Sequence, residues 1–303
     1  MSTFVKSFLC ILPTISLSST VTVHLQGQLG NQLFQVATAV ALALENDCSV
    51  YFPDFEDFSS PQALANRYEN NYNAIFYRLP QFVTCAKAMP SFQYIENGYD
   101  YHPIPYQPNM AITGFFESEK HFKKYRNLLL ELFAPPEFIE KDLRRDFSSV
   151  IEHPKTVGIH VRTYFPDLKN SGYQIYQSFI APDIAYYKKA IEMFDPDSLF
   201  IVCSDHISWC EQKFSQINRN FIFVKGQDYL HDFFLLSKCK NIILGSSTFS
   251  WWAAYLNQNE NKKVVCRKPF LLSDHRDPKD IICEDWTIVH MPKLPPFPFF
   301  MHH

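Results

Sequence analysis

The stretch Asn241-Ile242-Ile243-Leu244-Gly245-Ser246-Ser247-Thr248-Phe249-Ser250-Trp251-Trp252-Ala253-Ala254-Tyr255-Leu256 decides the fold. A short apolar run gives way to glycine, two serines and a threonine, and then to an aromatic, alanine-rich segment free of glycine and proline. This is strand, polar turn, helix: the hydroxyl side chains stand where a helix start leaves amides unpaired. The unit repeats around it. Strands are expected at Thr156–Val161, Leu199–Cys203, Phe221–Val224, Asn241–Leu244 and Lys263–Cys266. Helices are expected at Pro182–Phe194, with proline in its first turn, and at His206–Phe214, Tyr229–Cys239 and Thr248–Asn257. Short apolar strands joined by helical crossovers predict an α/β fold with a parallel, doubly wound sheet.

Further toward the N-terminus, Val21–Leu25 reads as a strand, Gly27-Gln28-Leu29-Gly30-Asn31 as a tight turn and Leu33–Leu44 as a helix. From about Tyr51 to Pro108 the pattern is irregular and rich in aromatics, as loops that build a substrate surface are. Gly114–Lys120 leads into a helix ending near Phe133, and another runs from Glu137 to about Val150. The chain thus divides into an extension over 1–20, an N-terminal domain over 21–150, a C-terminal domain over 151–290 and a proline-rich tail over 291–303.

With 303 residues the chain is too long for a peptide module, and with 47% hydrophobic and 19% charged residues it is not a disordered one. The 28 basic and 31 acidic residues leave a net charge of −3, so no overall basic field gathers nucleic acid, and any phosphate-bearing ligand needs a local site. Eight cysteines, none in a C-x-x-C unit, lie mostly in apolar runs and read as reduced, buried thiols. The apolar stretch from Phe8 to Leu17 is interrupted by Pro13 and is shorter than the roughly 20 residues of a membrane span, so a cytoplasmic extension is the expectation, with a cleaved signal or a shallow membrane anchor as the alternatives.

Ligands of an open parallel sheet bind beyond the carboxyl ends of its strands, and three of those ends are polar here. They are His160-Val161-Arg162, Ser204-Asp205 and Gly245-Ser246-Ser247-Thr248. The last combines hydroxyls with a helix start, an anion site, and Arg162 offers the forked donor that a diphosphate prefers. Gly27–Gln32 lacks dinucleotide-fingerprint spacing and no P-loop lysine follows, which argues against dinucleotide and ATP-hydrolase sites. A two-domain enzyme with this turn facing the C-terminal site across a cleft fits better. The one D-x-D, Asp195-Pro196-Asp197, precedes a strand and so lies at the opposite edge, and the terminal His302-His303 reads as a frayed end, so no metal is expected. Trp251 and Trp252 fit a stacking surface and a buried core equally well.

His160-Val161-Arg162, Ser204-Asp205 with Trp209-Cys210, and Asp232–Asn241 running into Ser246–Leu256 resemble the alpha-1,2-fucosyltransferases of glycosyltransferase family eleven. Gly27–Gln35 and Gly114–Lys120 are similar to that family's N-terminal motifs, and the matches run in order over residues 21 to 257. The resemblance implies a GT-B fold, two Rossmann-like domains facing across a cleft, and transfer of L-fucose from GDP-fucose to the 2-hydroxyl of a galactoside with inversion. It implies that Arg162 holds the donor diphosphate with His160 beside it, that Ser204, Asp205, Ser246, Ser247, Thr248 and Phe249 line the donor site, and that Asp232 binds guanine. Gln28, Gly30, Asn31 and Gln32 are expected across the cleft, with Asn31 and Gln32 approaching the reacting groups. The expected partners are GDP-fucose and a galactose-terminated glycan, with no cofactor and with peripheral contact at the inner face of a membrane through a lipid-linked acceptor.

The family usually reads His-Val-Arg-Arg-Gly-Asp where this chain reads His160-Val161-Arg162-Thr163-Tyr164-Phe165-Pro166-Asp167, so Thr163 replaces an arginine and the glycine is lost. The residues leave the identity of a catalytic base open among Asp167, Glu117 and His24.

Overall fold

The computed structural model describes residues 19–55, 75–79, 89–163, 183–270 and 279–292. Asp167, Pro182, Cys10, Cys85, nearly all of the N-terminal extension and most of the C-terminal tail, His302-His303 included, lie outside the described residues.

The first sheet holds four strands in the order β2-β1-β4-β3, all parallel: β1 (Thr20–Val23), β2 (Ser49–Tyr51), β3 (Phe92–Ile95) and β4 (Met110–Thr113). The second holds six in the order β10-β9-β8-β5-β6-β7, again all parallel: β5 (Thr156–Val161), β6 (Leu199–Ser204), β7 (Asn220–Phe223), β8 (Asn241–Ile243), β9 (Val264–Lys268) and β10 (Thr287–His290). In the second sheet the chain moves outward from β5 to β7, returns, and moves the other way from β8 to β10. The strand order therefore reverses between β5 and β8, where a crevice opens for a ligand. In the first sheet the chain steps from β1 out to β2, crosses to the opposite edge at β3 and returns inward to β4.

Helix α1 (Leu29–Glu45) is buried nearly all round, which its sequence permits because alanines at 37, 39, 41 and 43 let neighbours approach closely. Helices α2 (Arg126–Leu132), α3 (Glu137–Glu152), α4 (Ile184–Ile191), α5 (Ile207–Phe214), α6 (Tyr229–Lys238) and α7 (Thr248–Leu256) follow. The expected helix from Lys120 to Phe133 is shorter than its sequence suggests. Two 3-10 turns, Glu119–His121 and Lys123–Tyr125, come first, because Phe122 leaves the helical region at φ −143° and drops its ring beneath Trp252.

Helices α1 and α7 join the two sheets. Phe34 lies 4.4 Å from Trp251 and 5.1 Å from Trp252, ring centre to ring centre, and Phe122 and Phe133 close the cluster. Both tryptophans are fully buried, so they belong to the core and not to a stacking surface. The N-terminal half grips α7 at both ends. Asn31 meets its first residue, and the Arg126 guanidinium donates to the carbonyls of Tyr255 and Asn257 at its end, where a cation suits the helix dipole.

The six described cysteines are buried and unpaired. No helix among the described residues is long and apolar enough to cross a membrane.

Candidate active site at the meeting of two strand-to-helix turns

The turn after β1 and the turn after β8 touch. Gly30 has no room for a side chain: a Cβ there would stand 2.5 Å from Thr248. The Thr248 hydroxyl donates to Asn31 Oδ1 at 2.8 Å, across the boundary between the halves. Gly27 adopts φ +75°, a left-handed conformation open to glycine, and Gln32 Nε2 donates to its carbonyl. Gln32, expected on the acceptor side of the cleft, is buried and braces this turn through that bond. Gln28 does lie across from the second sheet, where its Oε1 accepts from the Arg162 guanidinium at 3.4 Å.

Arg162 follows β5 and is held by its neighbour strand. Its Nη1 donates to Asp205 Oδ2 at 2.9 Å, and both groups are largely buried. Asp205 Oδ1 accepts from the Thr163 amide at 2.7 Å, from the Thr163 hydroxyl at 3.0 Å and from Ser204 Oγ at 3.4 Å. One carboxylate thereby aims the guanidinium and ties the end of β5 to the end of β6. Thr163, where the family usually has a second arginine, thus has a place of its own, buried and bonded twice to Asp205.

His160 ends the same strand. Its ring is buried and lies 4.9 Å from that of Phe249, and its Nδ1 has no hydrogen-bond partner among the described residues. Burial and the nearby Arg162 push its pKa down to about 4 against the pull of Asp205, so it is a neutral imidazole at neutral pH. Gly245 is required beside it, since a Cβ would come within 2.7 Å of the His160 carbonyl oxygen. Ser247 caps α7 by accepting from the Phe249 amide, and Ser246 lies buried just before it. The helix start, with its positive dipole end, thus borders Arg162, Asn31 and His160 at the β5/β8 reversal.

Asp232 sits in the first turn of α6, beside the Cys203 thiol at the end of β6. Its Oδ1 is buried without a hydrogen-bond partner among the described residues, and burial pushes its pKa up to about 7 against the pull of the Cys203 thiol. An unsatisfied buried carboxylate is costly, and a ligand that donates to it removes the cost.

Of the other expected residues, His24 is exposed after β1 with its Nδ1 3.7 Å from Asp54, and Glu117 is half-buried in the turn after β4. Asp195 and Asp197 both pair with Lys155 at the amino end of the second sheet, away from the site. Among the described residues no group of three or more histidine, cysteine or acidic side chains could hold a metal ion. Glu96, which has no motif around it, was missed in the sequence. It follows the edge strand β3 and accepts from the amides of Phe115 and Phe116, twenty residues away.

Two parallel sheets with their carboxyl edges brought together around an arginine and a helix start are the architecture of an α/β glycosyltransferase of the GT-B kind. The chain matches the model of Glycosyl transferase family 11 over residues 4–290 and belongs to that family. It is 26% identical over 291 residues to the O-antigen biosynthesis glycosyltransferase WbnK of Escherichia coli, with 83% of this chain and 95% of that protein covered. It is 25% identical over 298 residues to an alpha-1,2-colitosyltransferase, also of Escherichia coli, covering 89% and 98%. Galactoside alpha-(1,2)-fucosyltransferase 2 of Oryctolagus cuniculus is 25% identical over 252 residues, covering 78% and 66%. Among solved structures, the fucosyltransferase NodZ from Bradyrhizobium aligns with a TM-score of 0.49 and 13% identity over 79% of this chain and 92% of that one.

Proposed function

We propose that this chain transfers L-fucose from GDP-fucose to the 2-hydroxyl of a terminal galactoside with inversion at the sugar carbon. Membership of family 11, with alpha-1,2 transferases among its relatives, supports the linkage. The observation that carries the reading is the Asn31–Thr248 contact, which joins the ligand edges of both sheets into one site. Donor-side residues come from 151–290 and acceptor-side residues from 21–150.

As the bond from fucose to GDP breaks, negative charge grows on the leaving phosphate while the sugar becomes cationic. Arg162, pre-aimed by Asp205, and the start of α7 lie where that charge would be stabilised without rearrangement. Phosphate charge is met by protein groups, so the reaction needs neither metal nor cofactor. Asp232 receives guanine, whose ring N–H and amino hydrogens supply the donors that its buried Oδ1 lacks. His160, neutral and stacked near Phe249, packs beside the diphosphate and is not its counter-ion. The acceptor enters from the first sheet, past Gln28 and Asn31. A glycan carried on lipid would bring the enzyme to a membrane surface only peripherally.

Incubation with GDP-fucose and lactose tests the reading: GDP and a fucosylated trisaccharide are the expected products. Saturable donor binding without turnover would instead make the chain a sugar-nucleotide-binding relative. The colitosyltransferase relative supports a second reading, in which the transferred sugar is colitosyl and not fucosyl. Competition between the two donors in one reaction separates them.

A further inference from the structure

We infer that Glu96 binds the acceptor, its carboxylate taking hydrogen bonds from hydroxyls of the acceptor sugar. The inference rests on the glycosyl-transfer reading for the nature of the ligand, and on the following geometry for the place. Glu96 stands just past β3, on the carboxyl edge of the first sheet, the same edge that carries the Gly27–Asn31 turn. The turn after β4 is bent to receive it. Gly114 leaves the space, since a Cβ there would meet Glu96 Oε2 at 2.6 Å, and Phe116 adopts φ +54°, a left-handed conformation that is strained for a side chain of its size. The Phe115 amide donates to Oε2 at 2.7 Å, and the single Phe116 amide is shared between Oε2 at 3.0 Å and Oε1 at 3.1 Å.

An ionised carboxylate offers about four acceptor positions, and two amides leave Oε1 with capacity unused. Glu96 makes no direct salt bridge among the described residues, although the His102 ring acts on it electrostatically, and burial outweighs that pull and pushes its pKa up, a penalty that donated hydroxyl hydrogens would offset. Tyr94, two residues earlier and so on the same face of the strand, is half-buried against the core and close enough to feel the carboxylate's charge, which puts an aromatic residue at the edge of the site. The turn is also tied to the reacting loop. Gln35 Nε2 donates to the Gly114 carbonyl, while Gln35 Oε1 accepts from the Gln26 amide. Strands β3 and β1 are two positions apart, about 10 Å at ordinary strand spacing. That distance places Glu96 beyond the reacting hydroxyl, at the flank of the galactose or at the next sugar.

The test is titration of wild-type protein and Glu96→Gln with lactose in the presence of GDP, followed by ligand-observed NMR, with GDP affinity measured separately by calorimetry. Loss of a hydrogen bond to a charged group should raise the lactose Kd about tenfold or more and leave the GDP Kd unchanged. Singly deoxygenated lactoses then identify the hydroxyl: removing it should weaken wild-type binding and have no further effect in Glu96→Gln. If Glu96→Gln does not fold, Glu96→Asp, which withdraws the carboxylate by one methylene, supports the same comparison. An unchanged lactose Kd, an equal loss for GDP and lactose, or a wild-type protein that binds no lactose would overturn the proposal. Protein that binds lactose through Glu96 but transfers no fucose would break the fucosyl-transfer reading and leave this one standing.

Discussion

The two turns that meet at the site are built from the same pieces and finished differently. The turn after β8 caps itself, with Ser247 holding its own helix start and Ser250 folding back onto the Gly245 carbonyl, and it reaches across through the Thr248 hydroxyl. The turn after β1 makes no side-chain cap at Gln28. Its polar side chains go elsewhere, Gln28 to Arg162 and Asn31 to Thr248, while Gln32 supports the loop from below. One turn is a rigid receptacle, and the other spends its helix-capping capacity on reaching across the cleft. The lesson is that stability and reach are divided between the two halves.

The sharpest way to break this division is Arg162→Lys. A lysine keeps the charge but cannot bond Asp205 and Gln28 at once or present a fork to a diphosphate, so kcat should fall about 100-fold or more. Single-turnover kinetics check it, and near-normal turnover would remove the diphosphate role. Next is Gly30→Ala, whose methyl group would overlap Thr248 and pry the turns apart. A stability loss of about 1–3 kcal/mol is expected, read as a lower midpoint in urea, together with reduced activity. Thr163→Arg should also destabilise by about 1–3 kcal/mol, because Thr163 is buried and both its amide and its hydroxyl hold Asp205. Restoring the family's arginine should therefore lower activity in this chain, and an undiminished kcat with an unchanged melting point would show that the surrounding loop readily makes room.

Asp232 gives the pH test. Its folded pKa, about 7, is above the usual carboxylate value, so the folded state holds a proton that the unfolded state has lost. Its contribution to stability is full below about pH 4 and is lost as pH rises toward 7. Guanine binding has the opposite sign, since the ionised carboxylate is the better acceptor. GDP affinity should rise about tenfold from pH 6 to 8, and Asp232→Asn should remove the part of that rise that UDP does not share. The smallest effects on stability are expected for Ser247→Ala, which loses a cap worth about 1 kcal/mol, and for Gln28→Ala, which should leave stability nearly unchanged and raise the donor KM. Calorimetric melting of the two variants side by side checks that asymmetry.

The second sheet was legible in the sequence because each of its inner strands is a short apolar run stopped by a polar turn, and Ser247 and Asp228 announce their helices by standing at the caps. The edge strands β3 and β10 were not legible, whereas the edge strand β7 was. β3 is mostly exposed and lies among irregular aromatics, and β10 is a four-residue strand after a tryptophan, so neither shows the apolar run of a buried strand. β4 is central but only four residues long and merges into Gly114. At the site, residue types were readable and partners were not. Arg162 and Asp205 could each be suspected, yet their pairing, 43 positions apart, arises only when β5 and β6 align. Gln32 could be assigned to the glycine turn, but its bond to the Gly27 carbonyl exists only once the turn folds over it. Glu96 carries no local signal, because its meaning comes wholly from two amides on another strand.

The grip of the N-terminal half on both ends of α7 has a consequence for inheritance. Ordinary two-lobed enzymes can trade lobes, since a lobe folds alone and meets its mate at a soft boundary. Here the boundary passes through a single helix whose first residue answers to Asn31, whose middle answers to Phe34 and whose last carbonyls answer to Arg126. A hybrid that takes its acceptor half from one relative and its donor half from another would have to carry α1, α2 and α7 together as one cassette. New acceptor specificities in such a lineage should therefore arise by loop exchange along the first sheet's edge and not by shuffling whole lobes.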